Sequence, residues 1–263
     1  MKIQLNHQEA NGAAMHEVGD RAQSETAPER LVDLLRSDIW AEPGDAGYVD
    51  LLSNRQAIGS GASQWVLAGR MLAAVYERFF RPLLTWLVYE GKLSAAEEHQ
   101  LTLDLLKIAP GETVLDVGCG TGEFTRSLAA VVGDGLAAGL DVSKTMLAVA
   151  VEEDGGENLA YLRADPCELP FGDGEFDAVC TVGRIHLLDD PFQSLAEIVR
   201  VTRPGGRIVI GSSWRKKPEG RWGGGGVGRF GRNELADALS DRGCVGISQR
   251  VYGKGQFVLA HKP

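Results

Sequence analysis

Residues 114–124 read VLDVGCGTGEF: an apolar strand pattern interrupted by one acid, Asp116, runs into three glycines at alternate positions, Gly118, Gly120 and Gly122. A turn this rich in glycine lets the backbone approach a ligand, and it falls at the carboxyl end of a strand, where open α/β sheets bind theirs. A nucleoside triphosphate loop would need GxxxxGK[ST], and neither that spacing nor its lysine is present. The dinucleotide fingerprint GxGxxG/A, counted from Gly118, requires a small residue at 123, which is Glu123. Its charge would face a pyrophosphate at the helix N-terminus, so an NAD oxidoreductase is disfavoured. An acid, a glycine turn and no phosphate counter-charge suit a zwitterionic or cationic ligand, with Asp116 holding an ammonium and open backbone amides taking a carboxylate.

Outward from this loop the chain alternates. Strand-like runs fall at Thr113 to Val117, Leu136 to Asp141, Leu159 to Ala164, Phe176 to Val182 and Arg207 to Ser212, with helical stretches at about 123–132, 143–153 and 191–202. That alternation predicts a parallel sheet with helices on both faces. A further helix, Arg232 to Arg242, ends at Gly243, and two strands follow, Val245 to Val251 and Gln256 to His261. The turn between them, Gly253-Lys254-Gly255, joins only antiparallel strands, so the last strand should oppose the rest. The expected fold is therefore α/β: a Rossmann-like, seven-stranded, mostly parallel sheet with an antiparallel last strand.

Before residue 108 the period is helical: Arg30 to Trp40, Ser63 to Tyr89 with a break or kink at Pro82, and Ser94 to Lys107, which opens on a Ser94/Glu97 capping box and stops before Pro110-Gly111. The charges Arg70, Glu77, Arg78 and Arg81 forbid a simple membrane span, while Trp65, Met71, Val75, Phe79, Phe80 and Trp86 leave an apolar surface to be covered. Packing on the main domain, lining a substrate pocket as a lid, or pairing two copies in a homodimer would each cover it. The reading is thus a mobile leader at 1–28, N-terminal helices on the acceptor side at 29–107, and the ligand-binding domain at 108–263.

With 263 residues, 44% of them apolar, the chain can bury one full-sized core. A net charge of -9 argues against a nucleic-acid partner. The four cysteines, Cys119, Cys167, Cys180 and Cys244, have no CxxC spacing and no nearby histidine pair, which suggests neither a zinc site nor a redox motif and fits reduced thiols in the cytoplasm. His7 and His16 read as solvated, and no metal is expected.

Two further acids extend the site. Asp141 ends the second strand, placed to accept both hydroxyls of a ribose, and Asp165 follows the third strand in LRADPCELPF, placed to accept from an exocyclic amine such as adenine N6. Amino acid, ribose and adenine in that order describe S-adenosylmethionine.

The motifs VLDVGCGTGEF, GLDVSKTMLAVA, RADPCELPFGDGEFDAV and HLLDDPFQSLAEIVRVTRPGGRIVI occur in that order across about 100 residues. Residues 105–212 that carry them resemble the class I S-adenosylmethionine-dependent methyltransferases, and within these the small-molecule type 11 group that includes the ubiquinone and menaquinone C-methyltransferases. The resemblance implies that Asp116 and the backbone of Gly118, Cys119, Gly120 and Gly122 hold the methionine part, Asp141 the ribose, Val142 and Met146 the adenine faces, and Asp165 with the following amide, at Pro166, the adenine edge; Val182 joins this lining. Plainer readings exist for several: Val142 and Met146 as core, Asp165 as an Asx turn.

The sulfonium is already activated, so such an enzyme mainly aligns the acceptor and excludes water, adding a base where the acceptor must lose a proton. His186, just past the fourth strand in TVGRIHLLDD, is placed to be that base, or to pack or gate. Arg184 departs from the small or polar residue common in the family and could bind an acidic acceptor. The stretch SSWRKKPEGRWGGGGVGRF carries Trp214, Arg215, Lys216, Lys217, Arg221 and Trp222 around the glycine run 223–226, and reads as a mobile cover suited to an anionic acceptor. Tyr76 and Phe80 complete the expected acceptor side. The functional expectation is methyl transfer to a small-molecule acceptor on O, N or C, anionic or aromatic, in biosynthetic metabolism. The alternative is the same fold binding the cofactor without transfer, as a cyclase, decarboxylase or regulatory protein.

Overall fold

A computed structural model describes residues 25–42, 44, 46–52, 81–153, 156–215 and 230–263. The elements in chain order are α1 (Ala27–Asp33), β1 (Val49–Asp50), α2 (Arg81–Val88), α3 (Ala95–Leu106), β2 (Thr113–Val117), α4 (Glu123–Val132), β3 (Leu136–Asp141), α5 (Lys144–Glu152), β4 (Leu159–Arg163), β5 (Phe176–Val182), a 3-10 turn (Ile185–Leu187), α6 (Pro191–Val201), β6 (Thr202–Arg215), β7 (Phe230–Gly231), α7 (Glu234–Asp241), β8 (Val245–Tyr252) and β9 (Gly255–His261).

The central strands are apolar along nearly their whole length because helices cover both faces. Successive residues serve opposite cores: Leu115 and Val117 pack with Leu31 of α1, Leu195 and Ile198 of α6, and Leu235 and Leu239 of α7. Val114 packs with Leu101 and Leu105 of α3, Phe124 and Leu128 of α4, and Leu147 of α5. The sheet runs β1-β4-β3-β2-β5-β6-β9-β8, with β7 on the far part of β6. From β2 the chain steps outward through β3 and β4 on one side and through β5 and β6 on the other. The C-terminal end of β2 is therefore the switch point, and a crevice opens there. Pairing of Asp116 with Gly139 on β3 and Cys180 on β5 puts that acid at its floor.

β9 is antiparallel to both β6 and β8, as its short turn requires. The strand count among the described residues is nine rather than seven: the two-residue strands β1 and β7 are too short to leave a period-2 signature. β6 also begins earlier, at Thr202, with a register shift against β5 that takes in the Pro204-Gly205-Gly206 turn signal. The helix expected over Arg30 to Trp40 is instead α1, after which Leu35 bridges to Phe171 and Trp40 stands exposed. Ser94 caps α3 in a full capping box, its Oγ accepting from Glu97 N–H, and Lys107 closes the helix in the left-handed region.

α1 and β1 share the main core and sheet, so packing does not divide at residue 108. Of the leader expected over residues 1–28, residues 1–24 lie outside the described residues and α1 begins within the rest, at Ala27; the helix over 63–80 and any kink at Pro82 that it would share also lie outside the described residues. In α2, Leu83, Leu84, Trp86 and Leu87 are about half exposed. No helix among the described residues is long and apolar enough to cross a membrane.

Candidate cofactor cleft

All three glycines of the 118–122 turn adopt positive φ, at 82°, 59° and 76°, a region costly for a side-chain-bearing residue. Two also lack room for a side chain. A Cβ on Gly118 would lie 2.8 Å from Cβ and Cγ of Arg184, and one on Gly122 would overlap the Tyr161 hydroxyl. Tyr161, on β4, thus props the loop from beneath. Its hydroxyl has no hydrogen-bond partner among the described residues.

Above this turn lies a cleft lined by Arg81, Asp116, Gly118, Cys119, Thr121, Glu123, Phe124, Val182 and Arg184. Asp116 is 4% exposed and accepts from Thr125 Oγ1 at 2.8 Å. Burial raises its pKa to about 6, the Thr125 bond and the arginines Arg184 and Arg81 only partly opposing it. A carboxylate so placed is ready for a cationic partner. Burial likewise raises the Cys119 thiol far above its usual range, so it stays protonated and inert.

Four of the loop amides are not open, contrary to the expectation above. Gly118 and Cys119 N–H both donate to Leu140 O, at 2.7 and 3.0 Å, Gly122 N–H donates to Cys119 O at 3.1 Å, and Gly120 N–H donates to Asp141 Oδ2 at 3.0 Å. The loop is held in shape by these bonds, which leave none of these four amides to a carboxylate. Asp141 also accepts on Oδ1 from the N–H of Ser143, whose own Oγ caps α5 by accepting Met146 N–H, and this fixes the acid at the end of β3. Each oxygen accepts one N–H and keeps a second lone pair, as a diol would require.

Asp165 Oδ1 accepts Cys167 N–H at 2.8 Å, an Asx turn, leaving Oδ2 to meet an amine. The amide after Asp165 is that of Pro166, which carries no N–H, so it cannot supply the expected donor. Met146 is 2% exposed, part of the core under α5, whereas Val142 is half buried with its carbonyl held by Arg163 Nε at 2.9 Å. Arg163 in turn pairs with Asp50 of β1 at 3.1 Å, so the short edge strand braces the turn after β3.

Of the residues expected near the acceptor, Arg184 lines the cleft. His186 sits half buried on the 3-10 turn with Nδ1 3.5 Å from Ser212 Oγ, outside the cleft lining. Trp214 is spent elsewhere: its Nε1 donates to Gly253 O at 3.1 Å and the Arg232 guanidinium lies 5.7 Å over its ring. Tyr76, Phe80 and Trp222, with the basic and glycine run 216–229, fall outside the described residues.

The structure adds residues that sequence reasoning missed. Arg81, noted only as a charge that forbids a membrane span, reaches the cleft from α2. Its Nη1 lies 3.0 Å from Glu123 Oε2 and its Nη2 2.9 Å from His99 Nε2. Glu98 stands 3.6 Å from the same nitrogen and accepts from Tyr89 OH at 2.5 Å. Burial first, then the Arg81 charge, lowers the His99 pKa to about 4, so this imidazole is neutral near pH 7. A polar residue on the first turn of α4, Thr125, was the one local hint of an Asp116 partner.

Residues 115–210 match the family model described as "Methyltransferase domain". A demethylmenaquinone methyltransferase of Bacillus licheniformis is 37% identical over 110 residues, 41% of this chain and 47% of that protein. The O-methyltransferase cnsE of Penicillium expansum is 41% identical over 110 residues, 40% of this chain and 39% of that protein. The chain thus spans about half the length of these curated relatives, or less. A solved structure described as a SAM dependent methyltransferase from Aquifex aeolicus superposes with a TM-score of 0.52 at 26% identity, covering 62% of this chain and 88% of that one.

Proposed function

We propose that this protein, whose residues 115–210 match the methyltransferase family model, is a class I S-adenosylmethionine-dependent methyltransferase of the type 11 group that methylates a small organic acceptor. The observation that carries the reading is the donor set of the cleft. A buried carboxylate, Asp116, faces a cleft lined by Arg81 and Arg184, with no loop amide among Gly118, Cys119, Gly120 and Gly122 offered to a phosphate. A zwitterionic amino acid fits such a site, and a pyrophosphate does not.

S-adenosylmethionine supplies an electrophilic methyl group that needs no further activation. Asp116 holds the ammonium, Asp141 the ribose hydroxyls and Asp165 Oδ2 the adenine amine. Gly118, Gly120 and Gly122 keep side chains out of the ligand's path, while Val182 and Phe124 close apolar walls of the cleft and restrict water. His186 is the base for an acceptor that must lose a proton, with Ser212 Oγ beside Nδ1 orienting the ring. The acceptor is anionic or aromatic and enters beside Arg184; nucleic acid is not the substrate, and the cytoplasm is the site of action. Methyl transfer is favoured over binding without transfer because the sequence relatives named above are methyltransferases.

Calorimetry with S-adenosylmethionine, S-adenosylhomocysteine and NADH tests the cofactor, and selective NADH binding would sink it. A screen of carboxylated and phenolic acceptors, read by S-adenosylhomocysteine formation, then tests transfer.

A further inference from the structure

We propose that Arg81 of α2 is the partner of the cofactor's carboxylate, taking it in exchange for Glu123. The inference rests on the cofactor reading above. An amino-acid ligand brings an anion as well as the cation that Asp116 accepts, and the anion needs donors. Four of the loop's amides do not provide them: those of Gly118, Cys119, Gly120 and Gly122 donate to Leu140 O, Cys119 O or Asp141. The cationic side chains lining the cleft with Asp116 are Arg81 and Arg184.

Arg81 has the arrangement of a preset receptor. Its side chain is 17% exposed and held from within by Glu98, 6% exposed at 3.6 Å, and by His99 at 2.9 Å. Glu98 is itself fixed by Tyr89, whose ring stacks on Phe257 of β9 at 5.8 Å. These contacts orient the guanidinium without depending on Glu123. Glu123, by contrast, is 55% exposed and meets Arg81 from the solvent side at the first residue of α4. An ion pair with one half-exposed partner contributes little, so Glu123 can swing into water at small cost. A ligand carboxylate in its place gains a planar, two-donor partner in a drier setting. The same swap removes the acid that stands where a third loop glycine would stand in a dinucleotide protein. Glu123 then acts as a stand-in for the ligand's anion in the free cleft, and the residue that disfavours pyrophosphate becomes part of how carboxylate is selected.

Decarboxylated S-adenosylmethionine keeps the sulfonium, ammonium and nucleoside and lacks only the carboxylate. Calorimetry of the full chain and its Arg81→Gln variant with both ligands is therefore decisive. Arg81→Gln should weaken S-adenosylmethionine at least tenfold and the decarboxylated ligand less than twofold. Equal weakening of both, or of neither, would overturn the assignment. Glu123→Gln keeps the test open should Arg81→Gln fail to fold: removing the competitor should tighten S-adenosylmethionine a few-fold and leave the decarboxylated form unchanged, and an unchanged or weakened S-adenosylmethionine affinity would count against the exchange. If the unaltered protein binds neither ligand, the cofactor reading itself fails, which separates the two failures.

Discussion

Asp116→Asn should make the free protein more stable at alkaline pH while disabling it. Asp116 has a folded pKa of about 6 against an ordinary value of 3.8, burial being the largest cause. Below 3.8 the carboxyl is neutral in both folded and unfolded chains, and its contribution to stability is full. Between 3.8 and 6 the unfolded chain loses the proton and the folded one keeps it, so stability falls as pH rises; above about 6 the loss is complete. At 1.36 kcal/mol per decade the full cost is about 3 kcal/mol, and about 2 kcal/mol of it falls between pH 4.5 and 8. Asparagine does not titrate, and its carbonyl oxygen can still accept from Thr125 Oγ1. The stability of Asp116→Asn minus that of the unaltered protein should therefore grow by about 2 kcal/mol across that range, read from urea midpoints at each pH. Parallel pH curves for the two proteins would refute the reasoning. The same titration makes the cofactor need the ionised acid: affinity should be about tenfold lower near pH 5 than near pH 7, and Asp116→Asn should flatten that dependence.

Gly122→Ala forces a positive φ of 76° on a Cβ that would stand 2.7 Å from Tyr161 Cζ; strain and overpacking together should cost about 3 kcal/mol, with Tyr161→Ala returning the steric part in a double-mutant cycle. Asp141→Ala removes the acceptor of both Gly120 and Ser143 amides as well as the proposed ribose partner, and calorimetry should show cofactor affinity down at least ~100-fold. His186→Gln should leave cofactor affinity unchanged and lower single-turnover methyl transfer by about 100-fold or more for an acceptor that must be deprotonated, whereas an equal rate would assign His186 to packing.

Where a local signal was strong, the sequence alone determined the outcome. β2, α4, β3 and β5 run as their patterns predict because a glycine or proline turn adjoins each, the strands are buried along nearly their whole length and α4 buries one face, and the Ser94/Glu97 box sets the start of α3. The glycine spacing of 114–124, with Asp116 before it and Glu123 after it, likewise decided against phosphate and for an amino-acid-bearing nucleoside. Tertiary structure decided what depends on neighbours distant in the chain. Two-residue strands exist only because β4 and β6 offer them edges. The Gly118, Cys119 and Gly120 amides looked open in sequence and are closed because Leu140 and Asp141 of β3 end beside them. Asp116 is an ordinary aspartate until the sheet and α4 bury it, and Arg81 lies 35 positions before it in the chain, its place in the cleft set only by the docking of α2 on α3. Periodicity reports which face of an element is apolar, whereas the charge balance of a cleft is a property of elements brought together.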